Sequence, residues 1–145
     1  MGQVNFEKIK LIIWDLDDTF WKGVVSEEEV QIPHDNLELL NGFVDRGIVN
    51  SISSKNDKEV AEKVLRDSNV LGFFVFNNIN WDEKGPRIAD KLARMGLWAE
   101  NTLFIDDNQR NLEEAKHYCP EIMVAGPEVI PSLITYHNNL VHNRW

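Results

Sequence analysis

The chain has 145 residues, 43% of them hydrophobic, and a formal net charge of −9. It is too apolar for a disordered chain and long enough for one domain, residues 1–145, with a sizeable core. The acidic balance disfavours nucleic acid as a partner and favours a multivalent cation or a basic surface. The amino terminus, MGQVNFEKIK, lacks the apolar stretch of a signal peptide, and Phe6 stands where a myristoylation signal needs Ser or Thr. Lys10 to Trp14 then reads as a first buried strand.

The strand runs directly into Asp15-Leu16-Asp17-Asp18-Thr19. Three acids in four positions repel one another, and burial at a strand tip penalises each charge. Two readings stay open at this point: a solvated acidic turn, or a site for a hard cation such as Mg²⁺. From Phe20 to Pro33 the pattern is irregular and reads as a turn plus a small hairpin or flap, with Glu27-Glu28-Glu29 as a solvated face. Asp35 can cap a helix running to about Asp45, with Leu37, Leu40 and Val44 on its apolar face and Gly47 past its end.

Ile48 to Ser53 reads as the second strand, and Asp57 opens a helix carrying Val60, Ala61, Val64 and Leu65 at helical spacing. Phe73 to Phe76 reads as a short third strand. Lys84 to Met95 reads as a helix with Ile88, Leu92 and Met95 on one face and Gly96 after it. Thr102 to Ile105 is a fourth strand, Leu112 to His117 a helix, Ile122 to Ala125 a fifth strand, and Pro127 to about Asn138 a closing helix. The single cysteine, Cys119, excludes an internal disulfide and fits a reducing, cytoplasmic setting; it reads as a small core residue. No segment approaches the length needed to cross a bilayer, so no membrane is expected as a partner.

Strands alternating with helices predict parallel βαβ units: an α/β, Rossmann-like three-layer sheet with helices on both faces. The strand tips then carry the chemistry. Asp15 and Asp17 follow the first strand, Ser53-Ser54-Lys55-Asn56 the second, and Asp106-Asp107-Asn108 the fourth, while Lys84 opens the helix before the fourth. Independent solvated turns would rarely gather complementary groups at one edge. Carboxylates from two strands can hold Mg²⁺ against a phosphate, a Ser hydroxyl can hold phosphate oxygens, and a Lys can neutralise the phosphoryl charge.

In these motifs the chain resembles the haloacid dehalogenase (HAD) superfamily: Asp15, Asp17 and Thr19 match DxDx(T/V), Ser54 the strand-two hydroxyl, Lys84 the lysine, and Asp106-Asp107 the acid pair. The resemblance implies a HAD-like fold and the following roles. Asp15 is the nucleophile and forms an aspartyl-phosphate. Asp17 is the general acid and base. Ser54 and Lys84 bind the phosphoryl group, and Lys55 and Asn56 join Ser54 as substrate-binding residues. Mg²⁺ is held by Asp15, the Asp17 backbone carbonyl and Asp107, with Asp106 direct or through water. Asp18 and Thr19 support the loop. Lys55 competes with Lys84 as the phosphate-binding lysine, and order along the chain favours Lys84.

Neither the gap from Asp18 to Ser54 nor that from Ser54 to Lys84 leaves room for a cap domain. The resemblance therefore implies a capless member with an open site, acting on a phosphorylated small molecule or a carrier- or protein-bound one. Trp21 and Trp81 either frame the entrance or pack inside. The wording DLDDTFWKGVV, SKND, WDEK and FIDDN is similar to the FkbH-like group, subfamily IIIC, and to its relative, the magnesium-dependent phosphatase-1 type. That similarity implies a possible acyl carrier protein partner and a glyceryl-transfer activity. Because such proteins are usually longer, the ending at Asn143-Arg144-Trp145 implies a domain excised from a longer chain. A non-catalytic domain on the same scaffold is the remaining alternative, and the full set of catalytic residue types argues against it.

Overall fold

The computed structural model describes residues 3–142; Met1-Gly2 and Asn143-Arg144-Trp145 lie outside the described residues. Five strands form one parallel sheet: β1 (Leu11–Trp14), β2 (Val49–Lys55), β3 (Asn78–Asn80), β4 (Thr102–Ile105) and β5 (Met123–Ala125), in the order β3-β2-β1-β4-β5. Between and after them run α1 (His34–Asp45), α2 (Lys58–Asp67), α3 (Lys84–Met95), α4 (Gln109–Tyr118) and α5 (Ile130–His142). The α/β prediction with helices on both faces holds.

Strand periodicity explains the layers. Along β1, Ile12 and Trp14 enter one core with Leu39, Leu40 and Phe43 of α1, Ala61 and Leu65 of α2, and Leu133 of α5. Leu11 and Ile13 point the other way, into a second core with Ile88 and Leu92 of α3 and Leu112 and Ala115 of α4. A strand buried on both faces favours consecutive apolar residues, which is why β1 reads as an unbroken apolar run and β4 as one after Thr102, whose hydroxyl donates to the Trp98 carbonyl.

Several elements differ from expectation. The apolar run Phe73–Phe76 is not a strand. Leu71–Phe73 is a single tight helical turn, Phe74 makes one parallel bridge to Asn50, and Phe76 adopts a left-handed φ of 53°. The third strand falls on Asn78–Asn80, with only Ile79 buried. On α1 the buried apolar residues are Leu39, Leu40 and Phe43; of the expected face Leu40 is buried and Leu37 packs partly buried against the same core, but Val44 is exposed. The carbonyl of Pro33, not the Asp35 side chain, receives the first N–H groups of α1, from Asn36 and Leu37. On α2, Val60 is likewise exposed. The expected hairpin after Phe20 is one antiparallel bridge, Lys22 to Gln31.

Lys91 on α3 is buried, and its Nζ donates to Ser51 Oγ (2.7 Å) and the Ile52 carbonyl (2.8 Å). Burial pushes its ammonium down to about 7. The unfolded chain keeps the proton up to its ordinary value of 10.5. Between those limits the unfolded state binds more protons, so stability rises with pH by up to about 1.4 kcal/mol per pH unit. Lys91→Met is expected to flatten that rise. Urea unfolding of both proteins at about pH 7 and about pH 10 checks it, and parallel slopes would refute it.

Candidate active site

In this strand order the connections diverge between β1 and β4, and open α/β sheets bind ligands in the crevice at the carboxyl ends of such a pair. Trp14 pairs with Ile105 in register, so the next residues, Asp15 and Asp106, stand side by side at that crevice. On the other flank Trp14 pairs with Ile52, which brings Ser53 and Ser54 to the same edge. The backbone turns sharply here. The Asp15 carbonyl accepts from the Phe20 N–H and the Leu16 carbonyl from the Trp21 N–H, while Asp18 takes a left-handed φ of 53°. Asp18 Oδ1 accepts from the Gly23 N–H (3.0 Å), fastening the loop to the start of the flap.

Lys84 lies between the acids. Its side chain is 4% exposed, and Nζ donates to Asp15 Oδ1 at 2.8 Å and to Asp106 Oδ2 at 2.6 Å. The helix start that carries it is packed closely. Gly85 donates its N–H to Glu114 Oε1 of α4 (2.6 Å), and a Cβ at Gly85 would lie 2.6 Å from the Tyr118 ring. Glycine at that position lets α3 and α4 approach, and the carboxylate of Glu114 supplies the negative charge a helix start favours.

Asp106 is 1% exposed: besides Lys84, Oδ2 accepts from Asn111 Nδ2 (3.1 Å) and Oδ1 from the Asn108 N–H (2.9 Å). Thr19 ties the first and fourth strand tips together. Its hydroxyl donates to Asp15 Oδ2 (2.9 Å) and accepts from the Asp107 N–H (3.1 Å). Burial, the largest influence, and the Asp106 carboxylate push the Asp15 carboxyl up to about 8, against the opposing pull of Lys84. Burial alone would push Lys84 down, but the two carboxylates outweigh it and hold its ammonium above the ordinary lysine value.

Among the described residues Asp15, Asp106 and Asp107 each offer a carboxylate oxygen, all within 4.8 Å of one another. Oxygen donors at this spacing, around an acid whose ionisation burial opposes, fit a hard divalent cation. The Asp17 carboxylate stands outside that group. Its Oδ1 accepts from Trp21 Nε1 (2.9 Å) and the Val25 N–H (3.0 Å), and its Oδ2 from Asn56 Nδ2 (3.0 Å).

Ser54 is buried at the end of β2 and accepts from Asn56 Nδ2 (3.2 Å). Lys55 is exposed at the tip of β2, whereas Lys84 is buried and bridges the acid pair. The two tryptophans separate: Trp21 is buried at 1% exposure, while Trp81 is 70% exposed beyond β3. Sequence reasoning did not reach Glu114, for which no pattern exists. It also passed over Lys91, which stands one helical repeat beyond Lys84 on the stripe with Ile88, Leu92 and Met95.

No protein-family model matches the chain, and neither does any curated protein. Solved structures do. The N-terminal part of a Bacteroides fragilis protein, containing a phosphatase domain complexed with Mg, superposes with a TM-score of 0.76 at 24% identity. The match covers 91% of this chain and 40% of that one, so the chain spans less than half the length of that relative. The 3-deoxy-D-manno-octulosonate 8-phosphate phosphatase of Moraxella catarrhalis, in complex with magnesium ion, phosphate ion and KDO, gives 0.65 at 15% identity over 93% of this chain and 91% of that one. A Had-superfamily hydrolase from Ehrlichia chaffeensis gives 0.59 at 12% identity over 79% and 61%. The fold is HAD-like.

Proposed function

We propose that the chain is a Mg²⁺-dependent phosphohydrolase of the HAD type that cleaves a phosphomonoester through Asp15. The observation that carries this is Asp15 at the β1–β4 switch point, joined through Lys84 to Asp106, with a second carboxylate, Asp17, two residues on. The Mg²⁺ of the Bacteroides and Moraxella structures supports the cofactor. Asp15, Asp107 and the Asp17 backbone carbonyl would hold the ion, with Asp106 beside them, and when bound it supplies positive charge to the phosphoryl oxygens and keeps the acids ionised.

The remaining chemistry belongs to the chain. An Asp15 oxygen attacks phosphorus; the new O–P bond forms an aspartyl-phosphate as the bond to the leaving oxygen breaks, and Asp17 passes its proton to that oxygen. Asp17, now a carboxylate, takes a proton from water. The water oxygen attacks phosphorus, inorganic phosphate leaves, and Asp15 is regenerated. Ser54 and Lys84 hold the transferring group, with Asn56 fixing Ser54 and Lys55 on the rim. Lys84 also screens Asp15 from Asp106, so that the nucleophile can be anionic at all.

Hydrolysis of p-nitrophenyl phosphate and a set of phosphomonoesters tests this. EDTA is expected to abolish turnover and millimolar Mg²⁺ to restore it. Turnover indifferent to chelation would remove the metal, and no hydrolysis of any ester would remove the activity.

Glyceryl transfer to an acyl carrier protein, the activity suggested by the FkbH-like wording, ranks second. An acyl relay wants an accessible thiol. Cys119 is buried at the end of α4, and burial pushes its thiol up. We place the phosphatase in the cytoplasm on the strength of that single unpaired thiol.

A further inference from the structure

The proposed acid and base, Asp17, is only half-buried, yet three N–H donors converge on it. A half-exposed aspartate ordinarily samples several rotamers. Two of the three donors are side chains immobilised by surroundings that owe nothing to Asp17.

The Trp21 indole is packed in the core shared with α1, α2 and α5 at 1% exposure, so its Nε1–H has a fixed position in space. Asn56, 3% exposed, is tied through its backbone N–H to the Asn80 carbonyl (3.3 Å) and through Nδ2 to Ser54 Oγ (3.2 Å). One donor holds Oδ1 and the other Oδ2, from the flap and from the β2 tip respectively. A buried indole needs only an acceptor, and any backbone carbonyl would serve. Here the acceptor is a carboxylate of the acidic run that lies outside the metal-type cluster and also takes the Val25 N–H of the flap.

Resting on the phosphohydrolase reading, we infer that Trp21 and Asn56 are positioning residues that lock the Asp17 carboxylate in the rotamer from which it delivers its proton to the leaving oxygen. In this role both act through Asp17. A general acid is effective only where it is held in reach of the atom it serves. The lock also couples two functions at the β2 tip. Asn56 Nδ2 donates to both Ser54 and Asp17, so phosphate binding and proton delivery share one anchor.

The test compares phenyl phosphate, whose leaving group needs the proton, with p-nitrophenyl phosphate, whose leaving group departs as the anion. Asp17→Asn provides the reference, with a much larger kcat loss on phenyl phosphate. Trp21→Phe keeps the apolar ring and removes the donor. It is expected to lower kcat on phenyl phosphate about tenfold and on p-nitrophenyl phosphate about twofold or less, with KM unchanged. Asn56→Leu is expected to shift the same ratio in the same direction, and it carries the test if Trp21→Phe does not fold. Equal losses on both esters, or a loss confined to KM, while Asp17→Asn discriminates between them, would overturn the lock alone. An Asp17→Asn variant that does not discriminate would overturn the acid–base role and the lock with it.

Discussion

Asp15→Asn is expected to reduce hydrolysis of p-nitrophenyl phosphate by at least about 10⁴-fold, as for loss of a covalent nucleophile, while the protein still folds. The amide keeps the shape of the carboxyl. Lys84 retains Asp106 at 2.6 Å, and the Thr19 hydroxyl can still donate to the amide oxygen. Full activity in the variant would refute the covalent route.

The same substitution has a stability signature. The folded-state carboxyl of Asp15 lies at about 8, above its ordinary 3.8, so between those values the folded state binds the proton that the unfolded chain has released. The group's contribution to stability therefore falls as pH rises through that window. In EDTA, wild type is expected to lose stability relative to Asp15→Asn between about pH 5 and about pH 8, by urea unfolding. A constant difference across that range would show that burial does not oppose ionisation of Asp15.

Lys84→Met is expected to be the most damaging single change to the fold in the absence of metal. The side chain is 4% exposed and bridges two carboxylates, one of them at 1% exposure. Removing it leaves Asp15 and Asp106 facing each other in a low-dielectric site with no cation between them, so that ionising both sets like charges side by side. Breaking a buried ion pair by deleting one partner costs about 3–5 kcal/mol. The loss is expected to grow as pH rises above about 8, where Asp15 ionises beside Asp106, and to shrink below it, because a protonated Asp15 relieves the repulsion. Millimolar Mg²⁺ should restore part of it by binding only the folded state. Turnover should fall roughly 10²–10³-fold even with metal, since the charge facing the phosphoryl group is gone. Thermal melts with and without Mg²⁺ at about pH 6 and about pH 9.5 separate the electrostatic account from simple loss of packing; a destabilisation independent of both would refute it.

The outcome at the strands shows what kind of information a sequence carries. β1 and the Leu103–Ile105 part of β4 were legible because burial on both faces favours consecutive apolar residues. Phe73–Phe76 carries the same composition for another reason. Phe74 is inside because its ring stacks edge-on against Phe20 (5.3 Å between centroids), while Phe76 is exposed. The ladder that would have made this segment a strand is replaced. Ile52 donates its N–H to the Asn77 side chain, and Ser51 Oγ donates to the Phe76 carbonyl. Apolar composition reports burial, not pairing. Likewise, α1 offers two apolar phases one residue apart. The phase that wins is the one in which Asn36 donates to the Phe20 carbonyl (2.7 Å) and Gly42 lies against His137 of α5.

At the candidate site, residue types and their order along the chain are local properties, and they placed Asp15, Asp17, Ser54, Lys84, Asp106 and Asp107 at strand tips and a helix start before any fold was known. The acids could be named from that order, but their separate surroundings could not. Asp15 shares Lys84 with Asp106, Asp107 turns to Thr19, and Asp17 is held by Trp21 and Asn56. Those surroundings join residues up to 88 positions apart. They depend on strand register and on which face of each helix is buried, quantities that no stretch of chain possesses until the sheet has closed around it.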